Sequence, residues 1–205
     1  MPTSSCPPPA PAWPSCGTSC GWSSTWASTS TWWARRRRFD RATARRIARY
    51  KSGRYTIERP LHLGAALAGD RTLGAALSGY GQPLGDAFQL RDDVLGAFGD
   101  ATRTGKPVGD DLREGKPTLL LAVAHERAEG AQRDLLDQVG QRELDDAMVA
   151  DLQDLLVATG ALAEVEATIT ALADEAVGAL APLGLPPHAG EALRDLAEFV
   201  VARDT

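Results

Sequence analysis

The chain has 205 residues, of which 43% are apolar, enough for one packed body with its own core. A formal charge of -5 at pH 7 argues against a general nucleic-acid binder, and the only strongly basic run is Arg35 to Arg38. No stretch approaches the roughly 20 apolar residues of a membrane span, and the N-terminus lacks the charged-then-apolar order of a signal peptide, so a cytoplasmic location is expected.

The first segment, Met1 to about Ala34, is built from Pro, Ser, Thr, Cys and Trp, with no acidic residue and no helical period. Cys6, Cys16 and Cys20 fall within it, and no second ligand pair follows that would complete a zinc site. From Phe39 onward Ala, Leu, Asp, Glu and Arg dominate. The boundary divides the chain into an irregular segment, 1–36, and a helical body, 37–205.

Helix-period patterns then follow one another. Asp40 to Tyr50 comes first, with a short segment around Lys51 to Thr56 behind it, and Pro60 opens the next helix. Thr72 to Phe98 reads as one long helix whose interior glycines, Gly79, Gly81 and Gly85, predict close packing or a bend. Gly99 to Glu114 reads as a loop broken by Gly105, Pro107 and Gly109. Pro117 is placed in the first turn of an apolar helix that continues through Ala128. Glu143 to Ala158, Ala161 to Leu180 and Pro187 to Ala202 complete the series, and Leu162, Val165, Ile169, Leu172 and Leu180 are the expected core positions of the middle one. With no alternating strand pattern, the predicted fold class is all-α, a helical bundle. His62, His125 and His188 match no ligand spacing and are expected on the surface or at helix ends.

The chemistry concentrates in Phe88-Gln89-Leu90-Arg91-Asp92-Asp93 and in the string from Gly105 to Pro117. On a helix, Gln89, Asp92 and Asp93 stand at i, i+3 and i+4 and share a face. Adjacent carboxylates repel unless a cation lies between or beyond them. Mg²⁺ suits that place, because it takes one or two carboxylates and fills its shell with water and substrate phosphate. Lys106 and Lys116 follow, where they would meet phosphate from the other side. The Asp-Asp pair alone reads as a solvated acidic helix end; its combination with the lysines favours a metal-diphosphate site.

The string from Gly85 to Leu121 resembles the second aspartate-rich region of the trans-isoprenyl diphosphate synthases, near the bacterial geranylgeranyl and farnesyl diphosphate synthases. Upstream, Tyr50-Lys51-Ser52-Gly53-Arg54-Tyr55-Thr56 looks like that family's lysine-threonine segment, with serine in place of threonine. The resemblance runs from about Phe39 to the C-terminus and is strongest from Lys51 to Leu121.

It implies the C-terminal part of an isoprenoid-synthase-type bundle, and a prenyltransferase of isoprenoid biosynthesis that joins an allylic diphosphate to isopentenyl diphosphate with Mg²⁺. Asp92 and Asp93 would hold a metal ion, with Asp111, and Asp110 beside it, in the outer shell. Lys51, Lys106 and Lys116 would bind diphosphate, and Gln89 with oxygens at Lys51 and Ser52 would face the allylic cation. Gly96 stands where the family often has a third aspartate, although many bacterial members also show glycine there, so this departure matters little. A homodimer, or a pairing with a full-length synthase, is the implied assembly.

One departure is large: no Asp-Asp pair precedes Asp92, whereas the family has a first aspartate-rich cluster well upstream. The chain is therefore expected to be truncated and impaired. Shifting the reading frame of Trp13 to Arg36 by one nucleotide yields a helical text rich in Val, Leu, Glu and Arg. That points to an out-of-frame N-terminal segment joined to the in-frame remainder near Arg35 to Arg38, with a native Pro/Ser-rich tail as the other reading. On the first reading Trp13, Trp22, Trp26, Trp32 and Trp33 form no ligand cage. Two further functions stand beside the enzyme: a non-catalytic partner of a full-length synthase, which would not need the metal-phosphate face, and a terpene cyclase, which would lack the lysine-rich loop.

Overall fold

The computed structural model describes residues 40–99 and 108–203, apart from the side chains of residues 50–53 and 71. The N-terminal segment with its three cysteines, and Lys106, lie outside these residues. Among the described residues all regular structure is helical, in agreement with the all-α expectation.

Helix α1 (Arg41–Ala48) starts where the carboxylate of Asp40 accepts from the backbone N–H of Thr43 at 3.0 Å. It passes without a break into Arg49–Glu58, which is wound with the wider π turn, and then into α2 (Arg59–Leu67). The expected short segment from Lys51 to Thr56 is thus the middle of one continuous helical rod.

The spine of the molecule is α3 (Arg71–Phe98), 28 residues long, capped by Asp70, whose carboxylate accepts from the N–H groups of Thr72 and Leu73 at 2.9 and 3.0 Å. Arg49–Glu58, α2 and later helices all pack on it. Gly81 shows why close packing was predicted: a Cβ there would stand 3.0 Å from the Cα of Glu58, so the two backbones meet only because the side chain is absent. Glu58, 4% exposed, accepts hydrogen bonds from Ser78 Oγ (2.8 Å) and Gln82 Nε2 (2.9 Å) across this crossing. Burial alone would raise its pKa; the hydrogen bonds from Gln82 and Ser78, helped by His62 and Arg54, outweigh it and hold the carboxyl below its ordinary value.

The region read as a loop contains a helical turn, α4 (Asp110–Arg113), entered through Gly109 at φ 71°. Helix α5 (Leu119–Arg127) is capped by the Thr118 hydroxyl, which leaves Pro117 before the cap and not in the first turn as expected. The extended backbone at Thr118 is the reason, since a capping residue must sit outside the helix. Six successive residues, Leu119 to Ala124, are buried, so this part of α5 is apolar all round and runs through the core, while His125, Glu126 and Arg127 end the helix in polar contacts. A short α6 (Ala131–Leu136) follows that the sequence reading missed.

Helix α7 (Asp146–Ala158) begins three residues later than expected because Asp145 accepts from Met148 N–H at 2.9 Å and fixes the start. Then come α8 (Ala161–Gly178), a 3₁₀ turn at Ala181–Leu183, and α9 (Pro187–Ala202), whose bounds are those predicted. Of the expected core positions in α8, Val165, Ile169 and Leu180 are buried, and Leu162 and Leu172 pack half-buried against the same cluster.

Polar ties fix the helices to one another. Arg91 on α3 makes two parallel hydrogen bonds to Glu166 on α8, both 2.7 Å, and the buried Tyr80 hydroxyl donates to the Leu193 carbonyl of α9 at 2.7 Å. Arg41 reaches both Glu126 and Glu164, and Arg127 joins it on Glu164. The histidines serve structure: His125 pairs with Asp137 in the last turn of α5 and His188 is exposed at the start of α9, as expected. His62 is half-buried between α2 and α3 on the Ser78 hydroxyl, which corrects its surface assignment. Among the described residues no single helix is long and apolar enough to cross a membrane.

Candidate metal and diphosphate site

The C-terminal half of α3 presents Gln89, Asp92 and Asp93 along one side, as their spacing requires. Gln89 is 5% exposed, and its Nε2 donates to Asp93 Oδ1 at 2.9 Å. A carboxylate only accepts, so the amide must turn its nitrogen to Asp93 and its oxygen away. That oxygen, Oε1, is buried and has no hydrogen-bond partner in the protein. An orphaned buried acceptor costs about 1–3 kcal/mol, so its retention at this place points to a ligand.

Asp92 is 40% exposed at its side chain, and its Oδ1 accepts from Nη2 of Arg203, just beyond α9. The Arg203 guanidinium lies 4.5 Å from the centre of the Phe88 ring. Burial, and secondarily the neighbouring Arg91, lower the pKa of Arg203 from its ordinary value.

Asp111 comes from α4. Its side chain, 8% exposed as a residue, is paired with Lys116, and it rests against α3 exactly where Gly96 leaves room, since a Cβ on Gly96 would stand 3.0 Å from the Cβ of Asp111 and inside its carboxylate. Gly96 follows Asp92 by one helical turn, so the Asp111 carboxylate lies on α3 next after that of Asp92. Lys116 also contacts Glu114 at 3.0 Å; burial would lower its pKa, but the bonds to Asp111 and Glu114 prevail and raise it. Gly115, at φ 66°, holds this loop against Gly140, where a Cβ would fall 2.6 Å from the Gly140 Cα.

The structure therefore brings Gln89, Asp92, Asp93 and Asp111 to one stretch of α3. Asp110 opens α4 half-buried, and Lys116 stands behind Asp111 as its counter-ion. Lys51 and Ser52 lie on the π-wound segment that packs on α3; their side chains and Lys106 are outside the described residues. Sequence reasoning missed Arg203, Phe88 as its platform, and the part played by Gly96.

Among the described residues no three His, Cys, Asp or Glu side chains form a ready-made metal cage. Two neighbouring carboxylates with a buried acceptor nearby nonetheless fit Mg²⁺, which binds through one or two carboxylates and takes the rest of its shell from water and phosphate. A cavity of about 530 Å³ is lined by Arg45, Arg46, Arg49, Asp86, Leu90 and Leu172 among others, and Gln89, Asp92, Asp93 and Asp111 are not among its lining residues.

The polyprenyl synthetase family profile matches residues 30–156, and the chain belongs to that family. It is 36% identical over 146 residues to a (2E,6E)-farnesyl diphosphate synthase of Mycobacterium bovis, covering 69% of this chain and 41% of that one. It is 42% identical over 134 residues to the octaprenyl diphosphate synthase of Escherichia coli, covering 62% and 39%. The crystal structure of a geranylgeranyl pyrophosphate synthase from Corynebacterium glutamicum, complexed with isoprenyl diphosphate and magnesium, has a TM-score of 0.77 at 36% identity and covers 88% of this chain and 57% of that one. The chain thus spans about two fifths of the length of these curated relatives.

Proposed function

We propose that this chain carries the second diphosphate-binding half of a Mg²⁺-dependent prenyltransferase, one that condenses an allylic diphosphate with isopentenyl diphosphate. The observation that carries the reading is the face formed by Asp92, Asp93 and the buried, unpartnered oxygen of Gln89. Bound there, Mg²⁺ would neutralise charge on the departing diphosphate.

The residues divide that work. Asp92 and Asp93 hold the ion and Asp111 orders its outer shell, while Lys51 and Lys106 bind the phosphate oxygens, with Lys116 nearby, paired with Asp111. The Gln89 oxygen, with oxygens at Lys51 and Ser52, faces the developing allylic cation. Gln89 suits this place because its amide nitrogen is committed to Asp93.

The 205-residue sequence has no Asp-Asp pair ahead of Asp92, so one of the family's two carboxylate clusters is missing from it. These residues alone would grip an allylic diphosphate from one side only, so the 205-residue chain assayed by itself is expected to be an impaired synthase, with residues 37–205 corresponding to the C-terminal portion of the synthase domain. A second reading is a non-catalytic subunit in the cytoplasm that pairs with itself or with a full-length synthase; the intact face of Gln89, Asp92 and Asp93 counts against it.

Calorimetric titration of the chain with Mg²⁺ and inorganic pyrophosphate tests the site, with Asp92→Asn and Asp93→Asn as controls. Metal-dependent uptake markedly weakened, but still measurable, is expected for either substitution; uptake indifferent to both would sink the assignment. Prenyl product formed by the isolated chain would overturn the claim of impairment.

A further inference from the structure

The two adjacent carboxylates are fixed by different donors. Asp93 takes the amide of Gln89 from its own helix, whereas Asp92 takes a guanidinium delivered from the end of α9. Phe88 and Asp92 are one turn apart on α3, so a single group lying along that face reaches both. Arg203 does so, with its Cζ over the Phe88 ring and Nη2 on Asp92 Oδ1.

The other nearby arginine is not a substitute. Arg91 is the next residue but points to α8, where both of its terminal nitrogens bond to Glu166 at 2.7 Å. Arg203 leaves α9 with extended backbone, φ −64° and ψ 116°, and this departure from the helix carries its side chain to α3. Its side chain is only 15% exposed and its Nε is buried, while the Asp92 side chain remains 40% exposed. The guanidinium is thus the anchored member of the pair and the carboxylate the one that faces solvent.

We propose that Arg203 is a positioning residue for Asp92: stacked on Phe88, it grips one carboxylate oxygen and turns the exposed side of that carboxylate toward Mg²⁺. The inference rests on the reading of Asp92 as a metal ligand. Partners that hold a ligating carboxylate from behind set its orientation and with it the metal affinity. Arginine suits the place better than lysine, since a planar fork stacks on a ring and donates in its own plane, which an ammonium on a flexible stem does not.

Mg²⁺ titrations in the presence of saturating inorganic pyrophosphate test this on the 205-residue chain, comparing wild type, Arg203→Ala, Arg203→Lys, Phe88→Leu and Asp92→Asn. Arg203→Ala is expected to weaken Mg²⁺ binding about tenfold, as loss of an outer-shell partner does. Arg203→Lys should restore little of it, and Phe88→Leu should weaken binding in the same direction. In the double variant Arg203→Ala with Asp92→Asn, affinity should equal that of Asp92→Asn alone. That equality separates orientation of Asp92 from direct binding of pyrophosphate by Arg203, which would leave a residual effect and overturn the proposal.

Wild-type affinity, or tighter binding, in a folded Arg203→Ala protein would also overturn it, since the guanidinium would then be idle or a competitor of the metal. If Arg203→Ala does not fold, Arg203→Lys and Phe88→Leu carry the test by the same criterion. No difference between wild type and Asp92→Asn would remove the metal reading itself, and the role of Arg203 with it.

Discussion

The carboxylate of Asp111 occupies the space that a side chain on Gly96 would fill, fifteen residues earlier in the chain. The contact joins α4 to the α3 face one turn beyond Asp92.

Gly96→Ala tests how tightly this is built. In an exposed helix the change gains about 1 kcal/mol. At Gly96 the new Cβ collides with a carboxylate that is buried and paired with Lys116, and overpacking of that kind costs about 1–3 kcal/mol. A net loss in Tm is expected, with weaker uptake of Mg²⁺ and pyrophosphate as Asp111 is pushed off. Gly74→Ala, on the same helix with nothing within 4 Å, is the control and should stabilise. Equal behaviour of the two variants would refute the contact.

Lys116→Met should be costlier than a surface substitution. It strands the Asp111 carboxylate, 8% exposed, without its cation, a loss of about 2 kcal/mol. The double variant Lys116→Met with Asp111→Asn removes the stranded charge as well and should recover part of the loss. Urea unfolding of Lys116→Met, Asp111→Asn and the double variant reads the coupling, and simple additivity would show that the pair does not interact.

Glu58 gives the fold an acid-side weakness. Its folded-state pKa is lowered, so its contribution is fully present above the ordinary value of 4.5 and is lost as the pH falls through the folded-state value. Unfolding free energies at pH 7 and at progressively lower pH should show wild type falling toward Glu58→Gln, which cannot titrate there. A gap between the two proteins that is constant with pH would contradict the lowered pKa.

Much of this was legible from local pattern. The long helix of α3 follows from its period after a capping Asp70, and the bounds of α9 from Pro187 at its start. The side shared by Gln89, Asp92 and Asp93 is a matter of spacing alone. Short elements were lost where a glycine at positive φ opens a helical turn: Gly109, read as a breaker, opens α4, and Gly130 opens α6. The π winding of Arg49–Glu58 leaves no periodic signature in ten residues, and it runs against α3 where Gly81 meets Glu58. Arg203 and Asp92 are 111 residues apart, and only packing of α9 on α3 brings them together.

Arg91 shows how adjacent residues on α3 are assigned opposite tasks. One position before Asp92, it turns to the other side of the helix and binds Glu166 through two parallel bonds, so its charge is withdrawn from the acidic face. Glu166→Ala would leave a buried guanidinium without its partner. Because Glu166 is 38% exposed, water relieves part of the penalty, and a loss of about 2 kcal/mol is expected in place of the 3–5 typical of fully buried pairs. The freed Arg91 would add positive charge beside Arg203 and Asp92, so Mg²⁺ affinity should also fall while Gln89 and Asp93 remain in place. Denaturant unfolding and metal titration on the same variant separate the two effects. A stability loss with unchanged Mg²⁺ binding would show that the charge of Arg91 does not reach the acidic face.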